Sequence, residues 1–175
     1  SGGVGGYFGA QLAKAGHEVF FVARGAHLQA LQTQGLRVDS PLSPVHLQPT
    51  RCGSDPAAMR EPDIVLFCPK LWDVKAAAAQ LAPTLGPRTL VIPFQNGVES
   101  HRWLAEILGP QRVAIGVAQI ASTIGAPGVI SHTGSFARLK VGLLPEQAAD
   151  AGTSARLDAF VAAGVAAGIE IVRVA

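Results

Sequence analysis

Five of the first nine residues, Gly2, Gly3, Gly5, Gly6 and Gly9, are glycine. Further on, Arg24, Lys70 and Asn96 each stand just past an apolar run: Glu18–Ala23, Asp63–Cys68 and Thr89–Pro93. The chemistry these residue types offer is anion and carbonyl recognition. Bare main-chain amides can approach a diphosphate where a Cβ would block it. A guanidinium or an ammonium neutralises phosphate. A carboxamide can hold another carboxamide, a hydroxyl or a carboxylate.

A glycine-rich loop between a strand and a helix is the dinucleotide-binding arrangement, in which loop amides and the positive helix end face the pyrophosphate. The fingerprint is G-x-G-x-x-G. Gly2 serves as its second glycine and Gly5 as its third, with Gly3 and Val4 between them. The first glycine and the strand before it are then expected ahead of Ser1. Taken alone the signal is weak, because glycine-rich starts are also flexible tails.

NAD-preferring folds place Asp or Glu about 20 residues past the glycines, to hold the ribose 2′-hydroxyl. Here that place holds Arg24, which suits a 2′-phosphate, so NADP(H) is the expected cofactor. An ordinary solvated arginine is the alternative. Lys70 reads either as a phosphate or ribose contact or as a solvated residue at a helix start, where its charge opposes the dipole. Asn96-Gly97 is a common turn pair; at the end of a central strand the asparagine can instead orient a ligand. Trp72 and Trp103 read as packing residues. No Ser/His/Asp set or carboxylate pair stands out, so no catalytic acid or base is assigned within the chain.

Composition narrows the field. Of 175 residues, 49% are hydrophobic and only 15% charged, and the formal net charge is +2. No basic field argues for nucleic acid. The two cysteines, Cys52 and Cys68, are not in CxxC spacing. A metal site is not expected, and a reducing compartment is the default. No run of about 18 apolar residues calls for a membrane span. A cytoplasmic location is expected.

The elements that must position these residues follow from periodicity. Gly5–Ala15 reads as a helix with Tyr7, Phe8, Leu12 and Ala15 on its packing face. Gly9 inside it costs about 1 kcal/mol relative to alanine, which close helix–sheet contact would justify. Glu18–Ala23, Asp63–Cys68 and Thr89–Pro93 are near-continuous apolar runs, as in parallel strands covered on both faces. Helices are expected at Ala26–Gln34, from Ser54-Asp55-Pro56 to about Arg60, at Leu71–Leu85 and at Glu99–Leu108. Leu36–Ser40 and Val45–Gln48 alternate around a Pro-Ser turn and read as a hairpin on the sheet's periphery. Past Gly109-Pro110 the rhythm changes to short strands at Val113–Val117, Val129–Thr133 and Ala137–Gly142, the last two as an antiparallel pair. A polar linker over 145–153, a helix at Ser154–Ala167 and a strand at Ile169–Val174 follow. The fold class is α/β: a Rossmann-type, doubly wound, mostly parallel sheet with an inserted hairpin and an antiparallel extension.

The ordered set SGGVGGYFGAQLAKAGHEVFFVARG, DIVLFCPKLWD, PFQNGVES and APGVISHTG resembles the ketopantoate reductase (2-dehydropantoate 2-reductase) family, from Ser1 to about Gly142. The resemblance implies an NADPH-binding Rossmann domain over 1–175, a helical domain after it, and hydride transfer to the ketone of 2-dehydropantoate, giving pantoate for coenzyme A synthesis. It places the phosphate loop on Gly2, Gly3, Val4 and Gly5, the 2′-phosphate arginine on Arg24 and the cofactor lysine on Lys70. The asparagine touching nicotinamide and substrate falls on Asn96, and a main-chain contact on the nicotinamide side falls near Ser122. Pro69 departs from the family's small aliphatic residue. The family's proton-donating lysine and helper glutamate lie in the helical domain, so the isolated chain is expected to bind cofactor without turnover. A homodimer through that domain is compatible with the resemblance. The partner is a small 2-keto acid. A non-catalytic NAD(P)H-sensing module and an opine-type dehydrogenase are the alternatives.

Overall fold

The computed structural model describes residues 1–95, 99–148 and 150–174. Helix α1 spans Gly3–Lys14 and buries Tyr7, Phe8 and Leu12, whereas Ala15 is its exposed C-cap rather than part of the packing face. A Cβ on Gly9 would lie 2.7 Å from the Phe21 ring, so the glycine is what lets α1 lie against the sheet. Strand β1 is only Phe21–Val22, and α2 spans Gly25–Gln34. The hairpin is present as β2 (Leu36–Asp39) and β3 (Val45–Leu47). Strand β4, Cys52–Gly53, pairs in parallel with β1; two residues carry no periodicity, and the sequence gives no sign of it. The expected helix after Asp55-Pro56 is a single 3₁₀ turn, Pro56–Ala58.

Strands β5 (Ile64–Phe67) and β6 (Leu90–Pro93) pair in parallel. Between them the Leu71–Leu85 segment divides into a 3₁₀ turn at Leu71–Asp73, α3 at Val74–Leu81 and a second turn at Ala82–Thr84, where Pro83 cannot continue the α ladder. Helix α4 is Ser100–Leu108. The side-chain alternation of β5 and β6 serves two cores. Ile64, Leu66, Leu90 and Ile92 join the cluster containing Phe8, Leu157 and Phe160, while Val65, Phe67 and Val91 pack with Val74, Ala78 and Leu104. Helices therefore cover both faces, and the α/β, doubly wound fold is as the sequence implies.

The second half differs from expectation. Strand β7 is Ile115–Ala126 and β8 is Val129–Gly142, two long antiparallel strands joined at Pro127-Gly128. Val129–Thr133 and Ala137–Gly142 are thus one strand facing β7, not a pair facing each other. Residues 134–136 form a bulge between the registers Ala121↔Thr133 and Ile120↔Ala137, with Gly134 at φ +99°. A glycine at positive φ reads as a turn, but here it bends a strand that continues. The hairpin is not peripheral to the β5–β6 sheet; β2 lies parallel to the first part of β8, giving the order β3-β2-β8-β7. Past the bulge β8 takes β9 (Glu170–Arg173) as its parallel partner. The 145–153 stretch contains helix α5 (Pro145–Ala148) and the start of α6 (Ala151–Ala166), whose Thr153 N–H is capped by Asp150 at 2.7 Å.

His27 ties α2 to the β7–β8 hairpin. The Gly128 N–H donates to its Nδ1 at 3.0 Å, which requires a neutral ring at that nitrogen, and burial lowers the pKa below 6.5. The unfolded chain therefore takes up the proton first. The stability tied to this contact is present above about pH 6.5 and is lost as pH falls towards the depressed folded value. The melting temperature of His27→Asn, which keeps an acceptor near the Nδ1 position, is expected to fall less between pH 7 and pH 5 than that of the parent. Equal slopes would mean that His27 does not couple folding to protons.

Candidate functional site

The glycine start, Arg24, the Cys68–Lys70 segment and Ser122 come to one rim of the fold. Gly2 caps α1 in an extended conformation, with no side-chain cap and no acidic residue in the first turn. The first helical bond runs from the Gly6 N–H to the Gly2 carbonyl at 2.8 Å. That leaves the N–H groups of Gly3, Val4 and Gly5 over, as at any helix start. A Cβ on Gly2 would meet nothing within 4 Å, so the approach to these amides is open. At Gly3 the situation is reversed: a Cβ would stand 2.2 Å from the Ser122 carbonyl oxygen. This glycine is what seats the helix start on the middle of β7. The Ser122 hydroxyl is buried with no hydrogen-bond partner among the described residues.

Gly5 faces the end of β5, where an added Cβ would stand 3.5 Å from that of Cys68. Cys68 is half-buried overall, and desolvation pushes its thiol up to about 12. The thiol thus adds no negative charge beside the helix start. At pH 8 the thiolate fraction is about one in ten thousand, so iodoacetamide is expected to leave Cys68 unmodified in the folded protein and label it on denaturation. Labelling within minutes under native conditions, read by mass spectrometry, would contradict that protonation state.

Lys70 is exposed and extended beyond β5, and no ion pair engages it among the described residues. Trp72 beside it is 80% exposed, so it is not the packing residue its helical position implied. Arg24 is exposed, follows β1 and caps α2. Its Nη2 donates to Gln80 Oε1 at 3.0 Å. The Ser1 hydroxyl donates to the Val22 carbonyl at 3.3 Å, which fixes the glycine start beside the strand that ends at Arg24. Gln80 has no sequence signal, lying in an alanine-rich helix. Gln95 likewise carries no sequence signal: its Nε2 donates to the Phe67 carbonyl at 2.9 Å, joining the ends of β5 and β6, and its Oε1 is buried without a partner among the described residues. Asn96 lies outside the described residues. Among those described, no group of His, Cys, Asp and Glu could hold a metal, and no helix is long and apolar enough to cross a membrane.

The family profile described as ketopantoate reductase PanE/ApbA matches residues 1–146. The chain belongs to the ketopantoate reductase family. Among similar proteins, a 2-dehydropantoate 2-reductase of Mesorhizobium japonicum is 36% identical over 155 residues, covering 75% of this chain and 47% of that protein. A PanE/ApbA family ketopantoate reductase from Ralstonia eutropha superposes with a TM-score of 0.84 at 34% identity, over 99% of this chain and 54% of that one. The chain thus spans about half the length of these ketopantoate reductases. A D-mandelate dehydrogenase with NADH and anilino(oxo)acetate shares the fold, with a TM-score of 0.84 at 16% identity, over 99% of this chain and 54% of that one.

Proposed function

We propose that this chain is the cofactor-holding part of an NADPH-dependent, cytoplasmic reductase that converts 2-dehydropantoate to pantoate on the route to pantothenate and coenzyme A. The observation that carries the reading is the shared rim, where the open helix start at Gly2–Gly5 and the guanidinium of Arg24 flank the same strand end. The fit is chemical as well as spatial. Three spare amides and a helix dipole suit a diphosphate, and a thiol held neutral does not oppose it.

When bound, the nicotinamide supplies the hydride. Gly3, Val4 and Gly5 hold the pyrophosphate through main-chain N–H groups, and Gly2 leaves the approach to them open. Arg24 takes the 2′-phosphate, and Lys70 adds positive charge at the mouth of the crevice. The main chain at Ser122 borders the nicotinamide side. Asn96 is assigned to the carboxamide and the keto acid. No residue of this chain is assigned as proton donor. That role belongs to a lysine of the helical domain that the family carries, and a homodimer would form through the same domain.

Steady-state assay of the intact protein with NADPH tests the reading. Reduction of 2-dehydropantoate is expected at a kcat/KM at least about a hundredfold above that for pyruvate, a preference of the size substrate-shaped sites achieve. Asn96→Ala is expected to lower kcat/KM about a hundredfold, as loss of one positioned donor does. Equal turnover of both keto acids would sink the substrate assignment, and an unchanged Asn96→Ala would remove that residue from the site.

A further inference from the structure

The end of β1 carries no acid of its own, but one stands just past the adjacent strand β4. β1 and β4 run parallel in the register Phe21↔Cys52 and Val22↔Gly53, extended by the Ala23 N–H donating to the Gly53 carbonyl at 2.9 Å. Continuing that register sets Arg24 level with Asp55. The two residues leave the same sheet edge side by side and line one groove of about 400 Å³, completed by Ser54, Pro56 and Gln80. They do not close into an ion pair. The guanidinium is drawn to Gln80 instead, and one carboxylate oxygen of Asp55, Oδ1, is fixed by the Ala57 N–H at 2.8 Å. Its second oxygen makes no hydrogen bond among the described residues. The groove therefore offers one fixed cation and one fixed anion, separately, to whatever enters it.

A ribose 2′-phosphate carries close to two negative charges and accepts hydrogen bonds. A ribose diol is neutral and donates. The first suits the guanidinium and is repelled by the carboxylate; the second suits the carboxylate. We infer that this groove reads both forms of the dinucleotide, Arg24 holding the 2′-phosphate of NADPH and Asp55 the ribose hydroxyls of NADH, so that Asp55 sets how far NADPH is preferred. This rests on the reading of Arg24 as the ribose-end residue.

Equilibrium binding to the intact protein separates the two statements. Kd values for NADPH and NADH would be measured by fluorescence titration, with 2′,5′-ADP and ADP as competitors lacking the nicotinamide. Asp55→Asn keeps an oxygen for the Ala57 N–H but removes the charge, so the turn is retained. It is expected to tighten NADPH and 2′,5′-ADP, weaken NADH and ADP, and raise the NADPH preference about tenfold, the scale of one charge–charge term near a surface. A preference unchanged within about twofold, while Arg24→Ala still weakens NADPH selectively, would overturn the role of Asp55 and leave the Arg24 reading intact. If neither variant moves the preference, the ribose lies elsewhere and both statements fall.

Discussion

Arg24→Asp is expected to weaken NADPH binding about fiftyfold while changing NADH less than about threefold, because only the phosphorylated ribose loses a charge-assisted pair of hydrogen bonds. The geometry makes this separable from folding. Arg24 is exposed, and its hydrogen bond in the fold is to Gln80 Oε1 at 3.0 Å. Gln80 is exposed too, so losing that bond strands no buried group. The variant also sets a second carboxylate beside Asp55 in the groove, which adds repulsion for a 2′-phosphate and none for a hydroxyl. Raising the salt should shrink the NADPH penalty, since exposed charges are screened over about 10 Å at 0.1 M. Titration of both cofactors with parent and variant decides the matter. Parallel losses would show that the guanidinium does not discriminate at the 2′ position.

The second large effect separates two neighbouring glycines. Gly3→Ala is expected to cost about 3 kcal/mol of stability, at the upper end for overpacking. The atoms an added methyl would meet are the Ser122 carbonyl oxygen at 2.2 Å, its carbon at 2.4 Å and the Thr123 nitrogen at 2.7 Å. All are main chain of a paired strand, and none can rotate away. For a chain of this length such a loss lowers the melting temperature by about 6–12 °C. Gly2→Ala should do the opposite. Its Cβ meets nothing, and φ of −91° suits any residue. Stability should stay within about 0.5 kcal/mol of the parent, while the dinucleotide, whose diphosphate must come within hydrogen-bonding reach of the amides, binds at least about tenfold more weakly. Calorimetric melting beside cofactor titration gives both readings. A stable Gly3→Ala would mean that α1 is not seated on β7 as described.

Legibility in the sequence followed the length of each signal. The runs IVLF and LVIP announce β5 and β6 because each face packs into a core and no polar residue interrupts them. The alternating β2–β3 hairpin was equally plain, but its partner was not, since no local pattern tells that Arg37 pairs with Val129. Strand β7 was half hidden: AQIASTIGA carries small and polar residues, and the structure exposes many of them. Gly134 hides the continuity of β8, because a bulge and a turn both accept a glycine at positive φ. Glycine spacing and Arg24 stand out by chemistry alone, and the fold brings them to the same strand end. In the sequence Asp55 reads as part of a capped helix start before proline, and it does cap that turn; its place beside Arg24 depends on β4, a strand two residues long.

Strand β8 ends with consequences for synthesis. The β2–β3 hairpin emerges from the ribosome with the edge that will meet Val129–Ser131 still bare. At about 5–20 residues per second, the partner follows only several seconds later. Throughout that interval β2 is a ready template for any other extended chain. Stalling translation between the codons for Leu47 and Val129 should therefore increase aggregation of the nascent product, and restoring the later segment in trans should relieve it.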